Sequence, residues 1–261
     1  MQNRIYQFSG TAIGFSGVLR RIEKTKPILW RIPAQAVSAT PFIGGHSFAA
    51  VDGKQFADRR VCFDSARSEV FGDYDPPERV IEFTHGNHEA NDLPVYGYAE
   101  ASVTNLSIVN GPRKLSVSEL GYRISMRDRR DGSGPSFVIE WLKLVNVAID
   151  GVRFDVDFAP CCKQQGYVFP AARTGPSGYA YASVVADIRY AEGCRPLSYV
   201  SIPGVSDPGK IVVDELGTIH LGEIFTSPKR WRISMLRIAA GSDDGGGYDS
   251  GTGDLNGQEH P

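Results

Sequence analysis

The stretch WLKLVNVAIDGVRFDVDF, residues 141–158, constrains the fold of this chain more than any other. In a strand, successive side chains point to opposite faces, so a half-buried strand alternates apolar and polar residues. Val152, Phe154, Val156 and Phe158 alternate with Arg153, Asp155 and Asp157. Trp141, Lys143, Val145, Val147 and Ile149 are assigned to one face of the preceding strand. Between the two runs lies Asp150-Gly151, a pair suited to a two-residue turn with positive φ at both central positions. The segment reads as a β-hairpin with one buried face. LGYRISMR alternates in the same way through Leu120, Tyr122, Ile124 and Met126, and RWRISMLRI through Trp231, Ile233 and Met235. No segment sustains apolar spacing at i, i+3, i+4, i+7 over three turns, so helices are not expected. Gly-Pro, Pro-Pro and Asn-Gly pairs punctuate the strands. The expected fold class is all-β: a two-sheet, sandwich-like single domain over residues 1–240, followed by a flexible acidic tail over 241–261.

Composition agrees. The chain has 29 glycines in 261 residues, above the roughly 7% of average proteins, which suits many tight turns. A net charge of −2 gives no general attraction to nucleic acid or anionic lipid. No apolar run reaches the ~18–20 residues of a membrane-spanning helix. Neither a nucleic-acid partner nor a membrane span is therefore expected. The opening MQNRIYQFSGTAIGFSGVLRR lacks a compact apolar core followed by a small-residue cleavage site, so the expectation on that ground is a cytoplasmic protein. Four cysteines, Cys62, Cys161, Cys162 and Cys194, allow three pairings if oxidised. Free thiols are the default expectation.

Part of the sequence recurs. GYAEASV (97–103) returns as GYAYASV (178–184), and LSVSELG (115–121) as IVVDELG (211–217). Trp141 precedes Gly151 by ten residues, as Trp231 precedes Gly241. The order is preserved at offsets of 81, 96 and 90, which suggests an internal repeat over about 97–151 and 178–241. On this reading Glu119 and Glu215, with Gly121 and Gly217, occupy matching turns. The tail GSDDGGGYDSGTGDLNGQEHP then begins where a strand ends. It holds few apolar residues besides Tyr248 and Leu255, so it is expected to be disordered without a partner.

Several residues are candidates for chemistry. Gly86-Asn87-His88-Glu89 resembles the GNHE block of metallophosphoesterases, in which Asn and His hold a dinuclear metal centre. The resemblance implies a metal-dependent hydrolase. The chain departs from that family by lacking an opening Asp-x-His and a closing Gly-His-x-His. His85, His88 and Glu89 also form a candidate zinc set. The tail carboxylates Asp243, Asp244, Asp249 and Asp254 are candidates for calcium, although neither a stacked nonapeptide array nor an EF-hand spacing is present. A divalent metal is the one cofactor these motifs leave open; otherwise none is expected. No Gly-x-Ser-x-Gly elbow or Ser/His/Asp set stands out. Trp30, Tyr74, Tyr96 and Tyr98 are candidate exposed aromatics for a binding face.

The stretches YAEASVTNLSIVNG (98–111), LVNVAIDG (144–151) and GTIHLGEI (217–224) resemble uncharacterised bacterial β-rich proteins of the choice-of-anchor group. That resemblance implies a surface or extracellular role and carries no activity. A strand array has edges that oligomerisation can cover. The expected function is a non-enzymatic structural or binding protein, forming a homo-oligomer or binding a protein partner. A carbohydrate-binding β-sandwich and a metal-dependent hydrolase are the alternatives.

Overall fold

The computed structural model describes residues 5–23, 26–41, 44–74, 94–130, 132–163, 180–227, 230–239 and 247–260. In chain order the strands are β1 (Ile5–Glu23), β2 (Lys26–Ala39), β3 (Gly45–Phe56), β4 (Val61–Tyr74), β5 (Val95–Asn110) and β6 (Arg113–Asp128). Next come β7 (Ser136–Val145), β8 (Val147–Ile149), β9 (Val152–Phe158), β10 (Ala180–Ser183) and β11 (Val185–Tyr190). The last are β12 (Val200–Ser201), β13 (Lys210–Val213), β14 (Gly217–Ser227), β15 (Arg230–Ala239) and β16 (Gly247–His260). No α-helix occurs among the described residues. The first sheet runs β12-β13-β14-β15-β16-β1-β2, with β10 also on β14. The second runs β11-β9-β8-β6-β5-β4-β3, with β7 and β8 successively along one side of β6. Among the described residues both are antiparallel and eight-stranded.

The sheets pack face to face, with β1 across β4 and β5 and β16 across β5 and β6. The core between them is aromatic and aliphatic. Tyr6, Phe8 and Phe15 of β1 meet Phe63 of β4, Leu106 and Ile108 of β5, and Leu120, Tyr122, Ile124 and Met126 of β6. The alternation read in β6 is thus a true strand face, and Trp231, Ile233 and Met235 of β15 are buried as well.

The hairpin at Asp150-Gly151 forms as expected. Asp150 has φ 50 and Gly151 φ 82, and Ile149 pairs with Val152 and Val147 with Phe154. The single face assigned to Trp141 through Ile149 is corrected by two irregularities. The register jumps between Arg123↔Trp141 and Ile124↔Ile139, which inserts Glu140 as an extra residue. Asn146, at φ 52, then interrupts the strand again. Each insertion exchanges the two faces. Phe137 and Ile139 are buried, then Leu142 and Leu144 pack on the core, then Val147 and Ile149 are buried. Lys143 and Val145 are exposed.

The tail is also corrected. Residues 247–260 form β16, which lies inside the first sheet, paired with β1 on one side and β15 on the other. The physical reason lies in its glycines. A Cβ on Gly253 would come within 1.6 Å of Tyr122 Oη, and one on Gly251 within 2.9 Å of Leu120 Cδ1. Bare backbone here lets the large side chains of β6 lie directly against β16. Tyr248 and Leu255, its two large apolar residues, are both buried. Residues 241–246 lie outside the described residues.

The recurring segments do not take equivalent places. Residues 97–103 belong to β5 of the second sheet, whereas 180–183 form β10 of the first. Residues 115–121 run through the middle of β6, but 211–217 cross a turn in which Glu215 has φ 68. Glu119 therefore sits within a strand rather than in a turn. Gly121 is there because a Cβ would come within 2.7 Å of the Ala101 carbonyl oxygen.

Candidate functional site: the outer face of the second sheet

Strand β5 turns Val95, Gly97, Ala99 and Ala101 into the core, so Tyr96, Tyr98 and Glu100 point outward. The register brings Phe71 of β4 beside Tyr98, with Ser125 of β6 on its other side. Arg127 stands opposite Tyr96 and Arg123 opposite Glu100. Three rings gather as a result. Phe71 stacks on Tyr98 with centroids 5.5 Å apart, and Tyr96 is 6.2 Å from both. Such pairs contribute about 0.5–1.5 kcal/mol beyond their burial.

Ionised groups hold the rings in place. The Arg123 guanidinium lies 3.8 Å over the Tyr98 ring, a cation–π contact. Arg123 also forms ion pairs with Glu100 at 3.6 Å and Glu140 at 3.2 Å. The Tyr96 hydroxyl donates to Glu140 at 3.1 Å, and the Tyr98 hydroxyl donates to Glu69. His46 of β3 bonds the same Glu69 oxygen at 2.9 Å. Beyond Glu69 lies Phe48, 57% exposed. At the opposite border Lys143 Nζ lies 5.6 Å from the Trp141 ring and ion-pairs with Glu119 at 2.6 Å.

The electrostatics follow from these contacts. Burial alone would raise the Glu69 carboxyl, but the hydrogen bonds from Tyr98 and His46 outweigh it and hold it below the usual range. Burial and the adjacent carboxylates push both phenols up, Tyr98 by Glu69 and Tyr96 by Glu140. Burial raises Glu100 against the pull of Arg123. The face therefore presents neutral phenols and an ionised Glu69 at neutral pH.

Of the four candidate aromatics, the fold brings two together, Tyr96 and Tyr98. Tyr74 instead turns to the core, edge-on to Phe8 at 6.1 Å. Trp30 lies on β2 of the other sheet. Phe71, Glu69, Arg123 and Glu140 escaped the sequence reading because they sit on three other strands. His85, His88 and Glu89 lie outside the described residues, as do Asp243 and Asp244. Among the described residues no three His, Cys, Asp or Glu side chains gather closely enough to hold a metal ion. Asp249 accepts hydrogen bonds from Ser234 and Thr252, and Asp254 is paired with Arg230 through both oxygens. The two carboxylates stand five positions apart on one strand, each already engaged. No helix among the described residues is long and apolar enough to cross a membrane. Comparison with protein-family models, curated proteins and solved structures finds no match to this chain.

Proposed function

We propose that this chain is a structural or binding protein that engages a partner across the outer face of its second sheet. The observation that carries the reading is the Phe71–Tyr96–Tyr98 cluster fixed beneath Arg123. Tyrosine and arginine are the residue types that most often anchor protein interfaces. Here they rest on adjoining strands of one sheet and are held by hydrogen bonds and ion pairs before any contact is made. Little side-chain freedom remains to be lost on binding. A carbohydrate is the second reading, favoured by Glu69, Glu100 and Glu140 bordering the rings, since carboxylates accept hydrogen bonds from hydroxyls.

The test is to pan a displayed random-peptide library and a soluble glycan panel against the wild-type chain and against Tyr98→Ala/Arg123→Ala. Peptides selected on the wild type should lose about tenfold or more in affinity on the double variant, a loss of ~1.4 kcal/mol. Glycan binders with the same loss would select the second reading. Binders of either kind that hold the folded variant as tightly as the wild type overturn the proposal.

A further inference from the structure

We infer that the free edge of β3 is a docking surface for a second copy of this chain, joining the second sheets of two copies edge to edge. Among the described residues β3 is paired on one side only, by β4. A strand edge presents unpaired N–H and C=O groups, and proteins usually blunt such edges with prolines, charges or short strands. Among the described residues the other edges are blunted in those ways: β10 has four residues, and β7, paired only with β6, carries Glu140 at a register bulge and Lys143. Strand β2 carries Pro27 and Pro33 and a positive φ at Ala36. Strand β12 has two residues, and β11 carries Asp187 and Arg189. Residues 45–51 of β3, GHSFAAV, contain neither proline nor a Lys, Arg, Asp or Glu, and they expose Phe48; Asp52, Gly53 at φ 54 and Lys54 follow and limit the open edge to this N-terminal half of the strand.

The sequence of β3 also selects a register. A two-fold axis through Ala49 pairs residue i with residue 98 − i of the other copy. On the outer face, His46 then meets Asp52 of the second copy, and Phe48 meets Ala50 of the second copy. His46 already uses Nε2 on Glu69, which leaves its other ring nitrogen for that carboxylate. The small Ala50 leaves room for the Phe48 ring, and Arg67 of the second copy stands beside it, since Arg67 pairs with Ala50. Moving the axis to Ala50 would set His46 against Lys54 and Phe48 against Asp52. Moving it to Phe48 would leave Asp52 opposite Gly44. Only the Ala49 axis matches both charge and size among these three. The outcome is one continuous sheet carrying two copies of the aromatic face, so the inference goes beyond the binding reading and does not depend on it.

Light scattering after size exclusion, across a concentration series, tests this directly. The wild-type chain should approach twice the 28.5 kDa of one chain. Phe48→Lys, at an exposed site, should weaken the dimer at least tenfold while leaving the circular dichroism unchanged. Ala49→Cys should form a covalent dimer on mild oxidation, because residues directly opposite in an antiparallel pair lie about 4.5–5.5 Å apart at Cα, within disulfide reach. Wild type and Ser47→Cys should not. A wild-type chain that stays at 28.5 kDa throughout the series overturns the inference. So does a dimer that is insensitive to Phe48→Lys and gives no Ala49→Cys cross-link. Peptide binding that persists in the Phe48→Lys variant would show that the aromatic face works independently, which separates the two claims.

Discussion

Substituting alanine at Gly253 tests whether the C-terminal strand lies where the fold places it. The new methyl carbon would come within 1.6 Å of Tyr122 Oη, 2.4 Å of its Cζ and 2.9 Å of its Cε2. Tyr122 has no room to yield, since it is fully buried between the sheets. Overpacking a core costs about 1–3 kcal/mol and sometimes more, and contacts this short put Gly253→Ala at about 3 kcal/mol or above. For a chain of this size that is a fall in Tm of roughly 6–12 °C. Among the described residues the buried Tyr122 hydroxyl has no hydrogen-bond partner, so Tyr122→Phe alone should be neutral or stabilise by about 1 kcal/mol. It also deletes the nearest clashing atom. The double variant should therefore lose less stability than the sum of the single changes, with a coupling of ~0.5–3 kcal/mol. Urea denaturation of the four proteins measures that cycle. If Gly253→Ala lies within about 0.5 kcal/mol of wild type, β16 does not sit beneath Tyr122, and the assignment of 247–260 to the core sheet is refuted.

Three further outcomes follow from other parts of the molecule. Glu223 is buried; burial raises its carboxyl, but hydrogen bonds from Arg237 and Tyr181 outweigh that and hold it below 4.5, while burial depresses His220 below 6.5. In both cases the unfolded chain binds protons more readily than the folded one, so stability should fall as pH drops below about 6.5 and fall faster below about 4.5. A urea midpoint that is flat from pH 7 to 4 contradicts this, and Glu223→Gln should flatten the lower limb while costing about 1–3 kcal/mol at pH 7. Gly151→Val, at φ 82 in the β8–β9 turn, should cost about 1–2 kcal/mol by calorimetry. Deleting 247–261 leaves β1 and β15 without the partner between them; the truncated chain should lose cooperative unfolding, and a two-state transition of unchanged midpoint would contradict it.

Local alternation made the strands of this chain legible. Leu120 to Met126, Val152 to Phe158 and the Asp150-Gly151 turn can be read within a few residues of themselves, because side-chain direction has a period of two. The run from Trp141 to Ile149 failed for the same reason. Period-two reading assumes an unbroken ladder, and Glu140 and Asn146 each insert one residue that exchanges the faces. The candidate site was half legible. Tyr96 and Tyr98 are two apart on an alternating strand, so their shared face follows from β5 alone. Glu69, Phe71, Arg123 and Glu140 join them only through the registers of β4, β6 and β7, which no local pattern specifies.

The C-terminal segment failed for a different reason. Inferring disorder from apolar poverty counts only a segment's own side chains. Burial, however, is a property of a contact, and the apolar surface can come almost wholly from the other side. Here Tyr122 and Leu120 project from β6 onto Gly253 and Gly251, so the large side chains belong to residues about 130 positions earlier. The backbone of β16 is satisfied on both sides by ladders to β1 and β15, which no exposed tail could match. Ser250, also buried, donates its hydroxyl to the Gly14 carbonyl oxygen at 2.9 Å, so a polar side chain contributes to the seal. A glycine-rich strand in the middle of a sheet is thus the complement of an aromatic strand facing it. The small side chains of β16 and the large ones of β6 fill one layer between the sheets. Enlarging Gly253 should be tolerated best where Tyr122 is reduced, which is the sign the double-mutant cycle measures.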